Sequence, residues 1–243
     1  MPDLHYENPR LAAIYDLFSG WARDRDFYLA LAGDPPQQIL DLGCGTGLLC
    51  EAYAARGHAV TGADPAPAML AVARRRPHAG QIEWVQASAQ TFRSERRFDL
   101  IIMTGHAFQV LLSDDDVRAA LATMRRHLKP GGRVAFESRN PAINWAAEWD
   151  GSEERSHGGV PVRETTEVRA RAGDRVIFEV RYQFPDETLV SRSELRFMSR
   201  QEIEAHLAYA GLQVEALYGD WDGAPFDPGA SREMIFLARP ARG

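Results

Sequence analysis

Ile39-Leu40-Asp41-Leu42-Gly43-Cys44-Gly45-Thr46-Gly47 is an apolar run of strand length that ends in alternating glycines, and a helical period begins near Leu48. Strand, glycine turn and helix in that order open a doubly wound α/β sheet, and the glycines let the backbone approach a ligand closely. Enzymes that bind dinucleotides place a similar loop against a pyrophosphate. Asp41 discriminates, because a carboxylate at the loop mouth repels a diphosphate and attracts an ammonium, directly or through water. Asp64 ends the next apolar run, where an acidic side chain can accept both hydroxyls of a ribose. The two carboxylates together fit a nucleoside that carries an amino acid. The competing reading has Asp41 satisfying donors of the turn and Asp64 starting the helix after Pro65.

Outward from the loop, short apolar runs alternate with helical segments, the pattern of parallel strands joined by crossover helices. Residues 39–42, 59–63, 82–86, 98–103 and 133–138 read as strands. Between the last two, Ser113 is placed to cap a helix, Asp114, Asp115 and Asp116 complement its dipole, and Val117, Leu121, Met124 and Leu128 form its apolar stripe. From Glu148 to Gly159 the chain is polar and reads as a mobile connection. Residues 160–170, 175–184 and 189–198 then read as a three-stranded antiparallel insert, with Val176, Phe178, Val180, Tyr182 and Phe184 on one apolar face. Ser199 is placed to cap a further helix that stops at Gly211, and strands over 213–218 and 233–238 complete the pattern. The reading is a single domain over 1–243, divided into an N-terminal helical lid (1–32), a cofactor-binding core (33–148), an inserted antiparallel region (149–198) and the C-terminal part of the core (199–243).

The 243 residues, 45% hydrophobic and 26% charged, suffice for one such domain with its insertion. The amino terminus lacks the basic start and apolar run of a signal peptide, and no segment approaches the roughly 20 apolar residues of a membrane helix. Cys44 and Cys50 are too few for a disulfide framework and suit a reducing compartment. A cytoplasmic protein without a membrane partner is expected. The 28 basic against 34 acidic side chains give −6, which repels a polyanion. The short arginine runs at 74–76, 96–97 and 125–126 fall near helix ends or turns and read as solvated charge, so no nucleic-acid partner is expected. No metal site is expected either.

The motif Asp41-Leu42-Gly43-Cys44-Gly45-Thr46-Gly47 resembles the first motif of the class I S-adenosylmethionine-dependent methyltransferases, over about Gln38 to Pro141. The resemblance implies that Gly43, Gly45 and Gly47 hold the methionine end of S-adenosylmethionine, Asp64 the ribose, and Met69 the adenine face. Asp41, Cys44, Pro65, Ala89 and Thr104 complete the expected cofactor set. After the third strand, where the family often has an acid for the adenine amino group, this chain has Ala87-Ser88-Ala89-Gln90, and Ser88 offers a hydroxyl. The family's Rossmann-like sheet has seven strands in the order 3-2-1-4-5-7-6 with the last strand antiparallel, and the count made here agrees. The inserted hairpins resemble the added sheet of its small-molecule members. They would roof an acceptor pocket or form a dimer face, so monomer and homodimer both stay open.

Methyl transfer from a sulfonium needs alignment and, where the acceptor arrives protonated, a base. His106, just after the fourth strand, is the candidate base, with a structural or cofactor contact as its other reading. Tyr15 and Trp21 in the aromatic N-terminal segment, and Asn140 after the fifth strand, are candidates to line the acceptor channel; ordinary packing and turn capping compete for them. The functional reading is N- or O-methylation of a small-molecule acceptor. Its rivals are a nicotinamide-dependent oxidoreductase on the same sheet and an idle S-adenosylmethionine-binding module.

Overall fold

Residues 3–34 and 36–241 are described by a computed structural model; Met1 and Pro2 of the expected lid, Pro35 of the expected core, and Arg242 and Gly243 at the end of its C-terminal part lie outside the described residues. Three helices lead in: α1 (Leu4–Glu7), α2 (Pro9–Phe18) and α3 (Arg23–Leu31). The alternation then runs β1 (Gln38–Leu42), α4 (Leu48–Ala55), β2 (Ala59–Asp64), α5 (Pro67–Ala73), β3 (Ile82–Gln86), β4 (Phe98–Met103), α6 (Asp114–His127) and β5 (Leu128–Arg139). After α7 (Trp145–Trp149), four strands stand apart: β6 (Gly151–His157), β7 (Val160–Ala172), β8 (Arg175–Gln183) and β9 (Thr188–Arg196). Helix α8 (Arg200–Tyr209), β10 (Leu212–Tyr218) and β11 (Glu233–Pro240) return to the core.

The core sheet has seven strands in the order β3-β2-β1-β4-β5-β11-β10, and β11 runs antiparallel to both of its neighbours. The expected strand order is the observed one. Because side chains alternate across a strand, the sheet has two buried faces. Leu40, Ile101, Phe136 and Phe236 pack with residues of α6 and α8 on one face, while Ile39, Leu100, Ile102 and Ala135 pack with residues of α3 and α4 on the other. Ser113 and Asp116 make a reciprocal capping box on α6, and Ser199 and Glu202 make one on α8.

The insert corrects the expectation of three strands: it is a four-stranded antiparallel sheet in the order β6-β7-β8-β9. The polar stretch read as a mobile connection contains β6, paired with β7 from Gly151↔Thr166 to His157↔Val160. Every residue of β6 is exposed, so this edge strand shows no apolar alternation to betray it. Its signal is the turn. Gly158 and Gly159 both adopt positive φ (57° and 83°), as a two-residue hairpin requires.

The apolar face of the insert is covered from within the chain. Leu11, Ile14, Leu17 and Phe18 of α2 pack on Val162, Val180 and Tyr182, while Trp145 and Trp149 of α7 pack with Val176 and Leu195. Arg10, at the start of α2, pairs with Asp186 at 2.7 Å and lies 3.8 Å over the Phe184 ring. Among the described residues no helix is long and apolar enough to cross a membrane.

Gly47 shows how tightly the opening unit is assembled. Its φ is 76°, and a Cβ there would lie 2.6 Å from Trp84 Cη2 and 3.0 Å from Ala73 Cβ. Gly47→Ala combines overpacking with a left-handed backbone and is expected to destabilise the chain by about 2 to 4 kcal/mol. Urea unfolding measures this, and an unchanged midpoint would show that the helix entry tolerates a side chain.

Candidate functional site

A cavity of about 490 Å³ opens at the carboxyl ends of β1, β2 and β4. Asp41, Gly43, Cys44, Gly45, Asp64, Pro65, Ser88, Ala89 and Thr104 all line it, so the structure gathers most of the expected cofactor residues around one space. A Cβ on Gly45 would meet nothing within 4 Å, which is what a glycine facing open volume shows. Asp64 clamps the loop: one carboxylate oxygen accepts from Gly45 N at 2.8 Å and the other from Ala66 N at 2.8 Å. Burial raises its pKa, and these two bonds oppose the shift.

Asp41 is buried in the floor of this cavity. Cys50 Sγ donates to its Oδ2 at 3.5 Å, and its Oδ1 has no partner among the described residues. Burial, with the nearby Asp64 charge adding, pushes its pKa from 3.8 up to about 7. A buried carboxylate oxygen without a donor is costly, and a ligand cation would satisfy it.

A second cavity of about 780 Å³ lies between the lid helices, the end of β4 and the insert. Tyr6, Tyr15, Arg25, Gly105 and Val110 line both spaces and so form their common wall. His106 faces the second cavity. It is the only non-glycine with positive φ (60°) among the described residues, and its N–H donates to Glu137 Oε1 at 2.5 Å. The Tyr28 hydroxyl donates to the other Glu137 oxygen. The His106 ring places Nε2 at 3.0 Å from Glu233 Oε2. An ionised carboxylate only accepts, so Nε2 carries the proton of the neutral imidazole and Nδ1 keeps its lone pair. The acid behind the ring thus favours one tautomer of His106.

Three expected residues have other positions. Met69 is fully buried with Ala12, Ala66 and Ala68 and does not line the cavity, because its side chain fills the seam between α5 and α2. Gly47 also stands away from the cavity, against Trp84. Asn140 has its side chain consumed: Nδ2 donates to Pro228 O at 3.1 Å and Ser231 O at 2.7 Å, and Oδ1 accepts from Ala142 N. It pins the loop before β11 and lines neither cavity. Trp21 is 44% exposed on the rim of the second cavity, with Nε1 donating to Asp26 at 2.8 Å.

Arg25, Glu137 and Glu233 join the site without having been singled out from sequence. Arg25 pairs with Asp24 at 3.1 Å and donates to Ser19 O at 2.8 Å, which holds a cation in the common wall. Glu137 follows the apolar run Val134-Ala135-Phe136 within β5 and Glu233 begins β11, so a charge beside a buried run was the available cue. Nothing local links Glu233 to His106, which is 127 residues away.

Comparison with known proteins matches residues 39–132 to the family described as "Methyltransferase domain". The chain is 27% identical over 200 residues to the cypemycin N-terminal methyltransferase of a Streptomyces species, covering 82% of this chain and 81% of that protein. It is 35% identical over 145 residues to the ubiquinone biosynthesis O-methyltransferase of Pseudomonas putida, a match that spans 58% of that protein's length and 57% of this chain. Among solved structures, the SAM-bound amino pentose methyltransferase CalS10 of Micromonospora echinaspora superposes with a TM-score of 0.69 at 26% identity, covering 93% of this chain and 95% of that one.

The Asp41 carboxyl makes stability depend on pH. Between pH 3.8 and about 7 the folded chain holds a proton that the unfolded chain has released, so stability declines as pH rises through that window and levels off above it. Asp41→Asn has no such group. Urea unfolding is expected to find the variant equal to the parent near pH 4 and more stable by about 1 to 4 kcal/mol at pH 8. A constant difference across that range would mean that Asp41 titrates normally.

Proposed function

We propose that the chain is a class I S-adenosylmethionine-dependent methyltransferase, a reading supported by the methyltransferase domain matched over residues 39–132, and that it methylates a nitrogen or oxygen of a small metabolite, with His106 as the base. The observation that carries this reading is the pair of adjoining cavities with one common wall, the smaller built on the glycine loop and the larger holding His106 beneath the insert. The unpaired Asp41 oxygen and the open space at Gly45 fit a ligand with a cationic aminoacyl end, and the same unpaired charge disfavours a diphosphate cofactor.

Bound S-adenosylmethionine supplies a methyl group on a sulfonium whose neutral thioether is a good leaving group. Asp41 would hold the ammonium of its methionine moiety and Arg25 the carboxylate. The spare lone pairs of Asp64 would accept the ribose hydroxyls, with Ser88 and Ala89 beside the base and Pro65 and Thr104 completing the wall. Tyr6 and Tyr15 would separate the two ligands except at the line of transfer, and that alignment is an entropic contribution worth up to roughly 7 to 11 kcal/mol. His106 Nδ1 would take the acceptor's proton, and Glu233 would stabilise the resulting imidazolium. The insert reads as the roof of the acceptor chamber rather than a dimer face, since α2 and α7 already cover its apolar side. The free thiols of Cys44 and Cys50 favour the cytoplasm.

Incubation with methyl-labelled donor and fractionated cell extract tests the proposal. Label is expected in the small-molecule fraction; label found only in RNA or protein overturns that clause. Asp64→Asn, which removes the charge and one of the two backbone acceptors, is expected to weaken donor binding by about 1 to 3 kcal/mol in calorimetry, and undiminished affinity would remove Asp64 from the ribose. His106→Gln is expected to lower kcat by about 10²- to 10⁴-fold at unchanged donor affinity. A rate like the parent's would leave His106 a purely structural role.

A further inference from the structure

Three guanidinium groups line the larger cavity: Arg25, Arg139 and Arg155. Arg25 is paired with Asp24, and Arg155 with Glu153. Arg139 forms no ion pair among the described residues. It sits at the end of β5, where Nη1 donates to Gln109 Oε1 at 3.0 Å, and its guanidinium carbon lies 4.8 Å from the Trp149 ring centre and 5.5 Å from that of Trp145. Its Nε and Nη2 donate to no atom among the described residues. Burial pushes its pKa down, and the nearest acids, Glu233 and Glu137, oppose this shift without touching it. Those acids are already engaged by His106 and Tyr28. Arg139 is half-buried in the wall of this cavity, and a guanidinium without a counter-ion there is a ready partner for an anionic ligand.

We propose that Arg139 is a specificity determinant that binds a carboxylate of the methyl acceptor, so that the acceptor is a small carboxylic acid with its methylated nitrogen or oxygen a short distance from the acid group. This rests on the methyltransferase reading for the identity of the ligand as acceptor. Two free N–H groups on one planar fork match a carboxylate edge to edge. A phosphate dianion brings a second charge for which the cavity lining offers no second unpaired arginine among the described residues, while Glu164 on the same lining repels it. The spacing follows from register. Arg139 stands opposite Glu233 across β5 and β11, and Glu233 holds His106, so carboxylate and base sites lie one strand apart.

The full-length protein saturated with S-adenosylhomocysteine is titrated at constant ionic strength with acetate and, separately, with inorganic phosphate, following tryptophan fluorescence because Trp149 lies against the guanidinium. Acetate is expected to give a saturable change at roughly millimolar concentration. R139Q is expected to weaken acetate binding at least about tenfold, and R139K, which keeps the charge without the fork, by an intermediate factor. S-adenosylhomocysteine affinity, measured by calorimetry, stays within about twofold in both variants. Should R139Q not fold, R139K and the parent titration still decide. No saturable acetate response in the parent, or equal responses in parent and variants, overturns the proposal. Phosphate binding tighter than acetate by about tenfold, and lost with Arg139, overturns the carboxylate in favour of a phosphate ester. A parent that binds no S-adenosylhomocysteine sinks the donor reading instead, which separates the two failures.

Discussion

The grip of one buried carboxylate on two strand tips underlies the architecture of the site. Asp64 ends β2 and accepts from the backbone of Gly45, in the loop after β1, and of Ala66, at the entry to α5. That single side chain sets how far the glycine loop stands from the second crossover, and so the width of the smaller cavity. The lid is tied to the same loop: the Thr46 hydroxyl donates to Asp16 of α2 at 2.6 Å, and Arg76 beyond α5 donates to both. Asp16 adjoins Tyr15, so the wall between the cavities is anchored to the loop that would hold the donor.

A second set of buried charges organises the acceptor side. Holding His106 at positive φ costs on the order of 1 kcal/mol for a residue with a Cβ, and the Glu137 bond to its N–H offsets that cost. Glu137 is itself oriented by Tyr28, whose carbonyl accepts from the Tyr53 hydroxyl at 2.5 Å. The chain of contacts therefore runs from α4 through α3 to the end of β5 and out to the loop after β4. Since Glu233 comes from β11, the antiparallel strand also acts as a positioning element, and its insertion beside β5 is what brings an acid to His106.

The fold was legible because its signals are local and repeated. Strands buried on both faces read as apolar runs, glycines mark the loop, and serine caps mark the helix starts; β3 and β4 have the bounds expected of them. What escaped detection has physical reasons. Strand β6 is wet on both faces, so polarity concealed it, and only Gly158-Gly159 announced a hairpin. Met69 and Asn140 have the chemistry of ligand contacts, but the docking of α2 and the loop before β11 claim them, and neither docking has a local signature. Glu233 was invisible as a partner because register across β5 and β11 decides it. The loop carboxylates were readable by sign of charge alone, whereas the acceptor side depends on groups that meet only after folding.

The polar groups left unmatched in the two cavities differ in sign. Natural interiors satisfy most buried polar atoms, and exceptions mark function when they face a cavity. Here Asp41 faces the smaller space with a buried unpaired oxygen, and the half-buried Arg139 faces the larger without a counter-ion among the described residues. The two have opposite sign and lie on opposite sides of the wall formed by Tyr6 and Tyr15. The buried Asp41 carboxyl would be cheaper as an apolar side chain, so the fold keeps a stability deficit in the smaller chamber. Such a deficit is recovered only by ligands of complementary charge. The two chambers therefore differ in the charge each leaves unmatched, a cation being called for at Asp41 and an anion at Arg139.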